Sequence, residues 1–261
     1  MLLLGILKLK KTKRKNMTKS EIASYIDHTL LSPVATVSQI VQLCNEAKIN
    51  GFASVCVNPV YVAVAKTQLQ DSPVKVCTVV GFPLGASTSA DKAMEARRAV
   101  RNGADEIDMV IDIGAAKDGR FSEVSKEIAL VVRASKKMGQ RLNKNIIVKV
   151  ILETCFLSDY EIQTCCLCAK NANADFVKTS TGFANPKDVD GNSLPNGASV
   201  HHVKLMRDTV GPDMGVKASG GIRNARFAIE LLEAGASRLG TSSGLGILAR
   251  WDESVKINCK Y

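Results

Sequence analysis

Four stretches of this chain repeat one local plan: CNEAKINGFASVCVNP, ARRAVRNGADEIDMVI, CLCAKNANADFVKTST and ELLEAGASRLGTSS. Each opens with helix formers and reaches Gly or Asn at a helix C-terminal position (Gly51, Gly103, Asn173, Gly235). An alanine follows, at once in three of them and after Phe52 in the first, and the chain enters a short apolar run. Between these lie the strand-like runs ASYIDHT, VKVCTVVGFP, NIIVKVILET and MGVKASGG, each followed by a helical pattern. Eight strands are therefore expected, centred on Ile26, Val55, Val76, Met109, Val148, Val177, Val216 and Leu239, in strict alternation with helices. Short apolar strands alternating with helices make a parallel sheet covered by helices. Eight units in roughly 245 residues fit a closed (β/α)8 TIM barrel, an α/β fold of one domain. The open doubly wound sheet is the second choice, but YIDHTLLSP after the first strand lacks its Gly-rich dinucleotide turn.

The 261 residues and 46% hydrophobic content are ample for one large core. A net charge of +10 invites a nucleic-acid reading, but Lys8, Lys10, Lys11, Lys13, Arg14 and Lys15 sit together in MLLLGILKLKKTKRKN with no acid. The body is only mildly basic, and no Lys/Arg stripe interleaved with aromatics follows, so neither nucleic acid nor membrane is expected as a partner. The apolar Met1–Leu7 run precedes its charges, the reverse of a secretory signal, and is too short to span a bilayer. MTKSE offers a capping box from Thr18 to Glu21. The expected organisation is a basic extension over 1–16, a barrel over 17–250 and a tail over 251–261. The extension reads as upstream sequence, a targeting segment or a basic anchor. Eight cysteines in a chain this long are not a disulfide scaffold, and a reducing cytoplasm is expected. Cys165 and Cys168 have metal-ligand spacing without a second pair, so Cys165, Cys166 and Cys168 read as a buried helical face.

In a barrel of this kind, reactive groups gather at the C-terminal ends of the strands. The polar residues inside apolar strands are Asp27, Cys56, Asp108, Lys149, Glu153, Lys178 and Lys217. Lysines thus stand on the fifth, sixth and seventh strands with an aspartate on the fourth. One such lysine reads as an internal salt bridge; three together are hard to justify structurally, because each unpaired buried charge costs several kcal/mol. A lysine attacks carbonyls only as the neutral amine, and lowering a pKa from about 10.4 to about 7 takes roughly 4–5 kcal/mol. Burial and a neighbouring cation supply that. Lys178 in FVKTSTG and Lys217 in GVKASGG meet the requirement, with Asp108 in EIDMVID available for proton transfer, although the residues alone leave open which lysine is the nucleophile. Beyond the seventh and eighth strands, Gly220-Gly221 and Ser242-Ser243 provide backbone N–H groups suited to a phosphate.

YIDHTLL, VCVNP, VGFPLG, GADEIDMVIDIG, VKVILET, DFVKTSTGF, GVKASGGIR and GTSSG together resemble the 2-deoxyribose-5-phosphate aldolases, which are class I, Schiff-base aldolases. The similarity runs from Ile22 to Leu248 and touches every strand. It implies that Lys178 forms the imine, that Lys217 lowers its pKa, and that Asp108 works with Lys217 and a water in proton transfer. It adds Gly182 to the phosphate turns. On the substrate side it implies Asp27; Cys56, near the end of the second strand, Lys149 and Thr181 are further expected substrate-binding residues. It also implies reversible cleavage of 2-deoxy-D-ribose 5-phosphate to acetaldehyde and D-glyceraldehyde 3-phosphate, in deoxyribose phosphate catabolism. No metal or cofactor is expected, since a covalent lysine imine does the work; the expected partners are a phosphorylated sugar and further copies of the chain, as a dimer or tetramer.

Tyr261 ends the chain, and in some members of that family a C-terminal tyrosine reaches the site to assist proton transfer; the bland alternative is a terminal residue without a role. His28 is expected to pack or hydrogen-bond, and His201 and His202 to be solvated, so a metal-dependent aldolase lacks ligands. Two departures from the family pattern stand out. ANPKDVDGNSLPNGASVHHVKLM is long and leaves beside Lys178, where it could act as a lid, and Asp112 replaces a common asparagine, which puts the pH optimum in question. A different class, a catalytically silent scaffold barrel tethered by its basic tail, is opposed by the joint presence of both lysines, Asp108 and the phosphate turns.

Overall fold

The computed structural model describes residues 17–251. The described chain begins with α1 (Lys19–Ala23), whose Thr18 side chain and Glu21 form the expected capping box. It continues β1 (Ile26–Leu30), α2 (Val37–Asn50), β2 (Ser54–Val57), α3 (Val62–Gln68), β3 (Lys75–Val80), α4 (Ser89–Arg101) and β4 (Glu106–Val110). The second half runs α5 (Ile113–Lys117), α6 (Phe121–Arg141), β5 (Ile147–Ile151), α7 (Asp159–Asn171), β6 (Phe176–Lys178), α8 (Val200–Val210), β7 (Gly215–Ser219), α9 (Ala225–Ala234), β8 (Arg238–Thr241) and α10 (Gly244–Ala249). The eight strands pair in parallel in chain order, and β8 returns to β1, closing the barrel. All eight expected strand centres lie in these strands.

The recurrent sequence plan has a structural cause. Gly51, Gly103, Asn173 and Gly235 all take positive φ, at 67°, 121°, 57° and 119°, the left-handed turn that stops one element and aims the next. In three of the four, the residue two positions on caps the preceding strand. Asp105 accepts the Val76 N–H at 3.1 Å, Asp175 that of Val148 at 2.8 Å and Ser237 that of Val216 at 3.1 Å. The side chain thus pins each new strand beside its predecessor before the ladder begins.

Strand alternation separates two environments. Val55, Val76, Ile107, Met109, Val148, Val150, Val177, Val216 and Leu239 join the main apolar cluster with the inward faces of the helices. The alternate positions carry Asp27, Glu106, Asp108, Lys149, Lys178, Lys217 and Arg238. Cys165, Cys166 and Cys168 are buried free thiols on the α7 face, as expected. Trp251, assigned from sequence to the tail, is fully buried and donates its indole N–H to the Met17 carbonyl at 2.6 Å, tying the last described turn to the first. No described helix is long and apolar enough to cross a membrane. Residues 1–16 and Tyr261 lie outside the described residues.

Candidate active site

The strand register brings the sequence-derived lysines and aspartate together. Asp108 on β4 is opposite Lys149 on β5, and Lys178 on β6 is opposite Lys217 on β7. Asp108 Oδ2 accepts from Lys178 Nζ and from Lys217 Nζ, each at 2.8 Å, and Oδ1 accepts from Lys149 Nζ at 2.9 Å. Cys77 Sγ lies 3.2 Å from the same Oδ1. Lys217 also meets Asp27 at 2.5 Å, and Lys149 meets Glu106 at 2.5 Å. Arg238 bridges Asp27 and Glu106, with its Nε 2.8 Å from Asp27 Oδ1 and its Nη2 2.8 Å from Glu106 Oε2. Ser54 Oγ donates to Asp27 Oδ1 at 2.7 Å. Room for Lys217 comes from Gly240 on β8, where a Cβ would lie 3.0 Å from Lys217 Cε.

This interior holds the carboxylates Asp27, Glu106 and Asp108 against the cations Lys149, Lys178, Lys217 and Arg238, an excess of one cation. The three lysines are not equivalent. Lys149 faces three carboxylates and Lys217 two, while Lys178 reaches only the Asp108 oxygen it shares with Lys217. Lys178 is therefore the least-paired of the three lysines.

Burial alone would push the Asp108 carboxyl up, but the ammonium groups of Lys149, Lys178 and Lys217 outweigh it and hold Asp108 well below the usual carboxylate range. Asp27 is likewise depressed: burial opposes ionisation, and Arg238, Lys217 and Lys149 overcome it. Burial pulls Lys217 down, yet Asp108 and Asp27 outweigh it and raise it above the ordinary lysine value. Linkage fixes the signs. The depressed carboxyls contribute stability that is complete above about pH 3.9, shrinks below it and is gone once the pH passes their folded values. The raised Lys217 contributes stability that is complete below about pH 10.4 and disappears as the pH climbs through its folded value. The urea midpoint should therefore be insensitive to this cluster between about pH 5 and 9 and fall in acid. A midpoint that rose on acidification from pH 5 to 3 would contradict the assignment.

Glu153, at φ 58°, follows the C-terminal end of β5; it accepts from the Thr181 hydroxyl and from the Thr181 N–H at 3.2 Å. Burial raises Glu153 against the opposing effect of those bonds. Thr181 is thereby held beside Gly182, Gly220 and Gly221, whose φ values of 86°, 85° and 76° shape the turns after β6 and β7. Ser242 is exposed after β8, and the Ser243 N–H donates to Thr241 Oγ1 at 2.9 Å.

Residues 21–250 match the model of the DeoC/LacD family aldolases. Deoxyribose-phosphate aldolase of Thermoanaerobacter sp. (strain X514) is 53% identical over 232 residues, which are 89% of this chain and 97% of that relative. The chain belongs to the DeoC/LacD aldolase family. It is an aldolase, hence a carbon–carbon lyase. The Streptococcus suis deoxyribose-phosphate aldolase is also 53% identical, over 87% of this chain and 96% of its own length. A solved deoxyribose phosphate aldolase from Aeropyrum pernix, described as a unique tetramer, superposes with a TM-score of 0.81 at 33% identity, covering 94% of this chain and 96% of that one.

Within this aldolase, several expected residues are placed differently from their expectation. Asp27 and Lys149, expected on the substrate side, are fully enclosed and surrounded by charged partners, Asp27 against Lys217 and Lys149 against Asp108. Cys56 packs in a small cluster with Leu31, Cys77, Val79 and Phe82, and its Sγ stays within 4.8 Å of the Cys77 thiol and an Asp108 oxygen, beside the lysines. Asp112, expected to alter the site's charge, caps α5 by accepting the Ala115 N–H at 2.9 Å, while its own N–H donates to Glu127. His28 sits inside β1, bonded to Glu46 at 2.7 Å and tilted on Phe52. His201 is exposed and meets Asp159, while His202 is half-buried. The long segment after Gly182 is a surface hairpin bridged at Lys187 and Ser193 and rooted by the Ala198 N–H on the Gly220 carbonyl at 3.0 Å. It does leave from the lysine face, where Phe183 meets Phe82 edge-on at 5.2 Å.

Glu106 and Arg238 were missed in the sequence. Glu106 is two residues before Asp108 and so shares its face, a period-two signal that was available.

Proposed function

We propose that this aldolase reversibly cleaves 2-deoxy-D-ribose 5-phosphate to D-glyceraldehyde 3-phosphate and acetaldehyde through a Schiff base on Lys178. The observation that carries the reading is the shared Asp108 oxygen, which joins the least-paired lysine to a second lysine held as a cation. The neutral amine of Lys178 adds to the C1 carbonyl, and loss of water with uptake of one proton leaves a protonated imine. Loss of the C3 hydroxyl proton then sends the C2–C3 bonding electrons toward the imine nitrogen. Glyceraldehyde 3-phosphate departs, and an enamine remains. Protonation at C2 and attack by water release acetaldehyde and restore the amine. Lys217 and Asp108, working with water, are assigned these proton transfers. The imine itself is the electron sink, so the reaction as written calls on no metal or cofactor.

The phosphate is assigned to the turns at Gly182, Gly220 and Gly221 and to Ser242-Ser243, next to Thr181. Support comes from the tight packing there: a Cβ at Gly197, whose φ is 89°, would lie 2.5 Å from the Gly220 carbonyl oxygen. Gly197→Ala must therefore displace the turn after β7. Its KM for the phosphorylated sugar is expected to rise about tenfold with kcat less affected, and an unchanged KM would remove the phosphate assignment. A subunit assembly is proposed from the tetrameric relative, and a cytoplasmic place in deoxyribose phosphate catabolism fits the seven described cysteines, all free thiols. The test of the reaction is direct: purified protein with 2-deoxyribose 5-phosphate should release stoichiometric acetaldehyde and glyceraldehyde 3-phosphate. Absence of both products would end the substrate assignment.

A further inference from the structure

The outer wall of the barrel holds a cationic cleft that the aldolase reaction does not use. Helices α4 and α6 pack along one another, and between them opens a cleft of about 310 Å³ lined by Met94, Arg97, Arg98, Arg101, Met138 and Arg141. Positions 94, 97, 98 and 101 follow helical i, i+3, i+4, i+7 spacing, so the three α4 arginines share a face with Met94. Met138 and Arg141 complete the cleft from the last turns of α6.

Like charges at this spacing repel. The C-terminal ends of α4 and α6 offset part of that for Arg98, Arg101 and Arg141, which lie in their last turns, but do not account for Arg97. Some exposed cations elsewhere are matched, as Lys117 is with Glu161, Lys204 with Asp208 and Arg226 with Glu230, and others, such as Lys75, Lys126 and Arg223, are not; what sets this group apart is that its guanidinium groups line one cleft. Among the described residues, the exposed Arg97, Arg98, Arg101 and Arg141 have no carboxylate or hydrogen-bond partner. Four unmatched guanidinium groups converge on one cleft, and two methionines supply its apolar part.

We propose that this cleft binds an oligophosphate anion of two or three phosphate groups, the chemistry carried by nucleoside di- and triphosphates. Guanidinium forks pair phosphate oxygens two at a time, and a triphosphate carries a charge comparable to the four arginines. A single phosphate would leave half of the arginines unmatched. The volume is that of a small-molecule site rather than a macromolecular groove. The methionine thioethers offer a soft apolar surface for a nucleobase. The proposal is independent of the sugar-phosphate assignment, since it concerns the opposite layer of the fold.

The test is calorimetric titration of the full chain with ATP and, separately, with inorganic tripolyphosphate at constant ionic strength. The same titrations are made with Arg98→Glu/Arg101→Glu and with Arg98→Lys/Arg101→Lys. These substitutions leave untouched Lys92, Glu95 and Glu127, through which α4 and α6 hold Gly81 and Asp112 near the catalytic face. Wild type should show saturable binding, weakened at least about tenfold by the charge reversal and less by lysine, while aldolase turnover stays unchanged. Tripolyphosphate matching ATP would place recognition in the phosphates, and ATP alone binding would add the base; both support the proposal. Absence of saturable binding by either anion overturns it. So does equal affinity in the charge-reversed variant, which would place the anion on the catalytic face. Loss of subunit assembly in that variant, without wild-type anion binding, would instead make the cleft a contact between copies.

Discussion

Replacing Lys178 by alanine is expected to lower turnover by about 10⁴-fold or more, the scale on which enzymes fail when their covalent nucleophile is deleted. The fold should survive, because Lys178 contributes a single ion pair, to an Asp108 that keeps Lys149 and Lys217. Replacing Lys217 by methionine should also disable catalysis, but through a different route. Lys217 is the second cation on the Asp108 Oδ2 that Lys178 shares, and the proposed mechanism gives it the task of keeping an amine available there. Its removal makes the charges of the interior balance, so the pH profile of imine formation should move to the alkaline side. Steady-state rates and pH profiles of the two variants separate a nucleophile from a neighbouring cation. Equal residual activity and unshifted profiles in both would contradict the division of roles.

The second large effect concerns Asp108. Its carboxylate takes three ammonium groups and the Cys77 thiol, and it is fully buried. Asp108→Asn keeps the shape and removes the charge, leaving three lysines around an amide. Breaking buried charge pairing in this way costs about 3–5 kcal/mol, enough to lower Tm by on the order of 10 °C in a chain of this length. Activity should fall by about 10²–10⁴-fold, since the group proposed to transfer protons with Lys217 and water is gone. Calorimetry and initial rates measure both. A variant as stable as wild type would mean that the three lysines are not held as cations by this carboxylate.

Much of this architecture was legible because the chain states its turns in residues that tolerate positive φ. Gly51, Gly103, Asn173 and Gly235 each mark where one element stops, and all four adopt the conformation that their identities suggested. The inward position of Asp108, Lys149, Lys178 and Lys217 was legible for a similar reason, as charged residues inside apolar strands must point into the barrel rather than toward the helices. Period-two alternation gives the face of a strand residue and not its height along the barrel. Asp27 illustrates this: facing inward, it was assigned to the substrate side, yet its oxygens are taken by Ser54, Lys217 and Arg238. Arg238 escaped notice because it opens β8 next to a turn, where an arginine reads as solvated, and only closure of β8 against β1 brings it to Asp27. The Lys92–Glu127 pair, 2.7 Å long and buried between two helices, was invisible for the same reason: its partners lie 35 positions apart.

The most direct measurement is peptide-level mass spectrometry after borohydride reduction in the presence of 2-deoxyribose 5-phosphate, on wild type, Lys178→Ala and Lys217→Met. One stable adduct on Lys178, absent from the alanine variant, is the expected result. An adduct on Lys217 would reverse the two lysines, and no adduct on any protein would contradict the Schiff-base mechanism altogether.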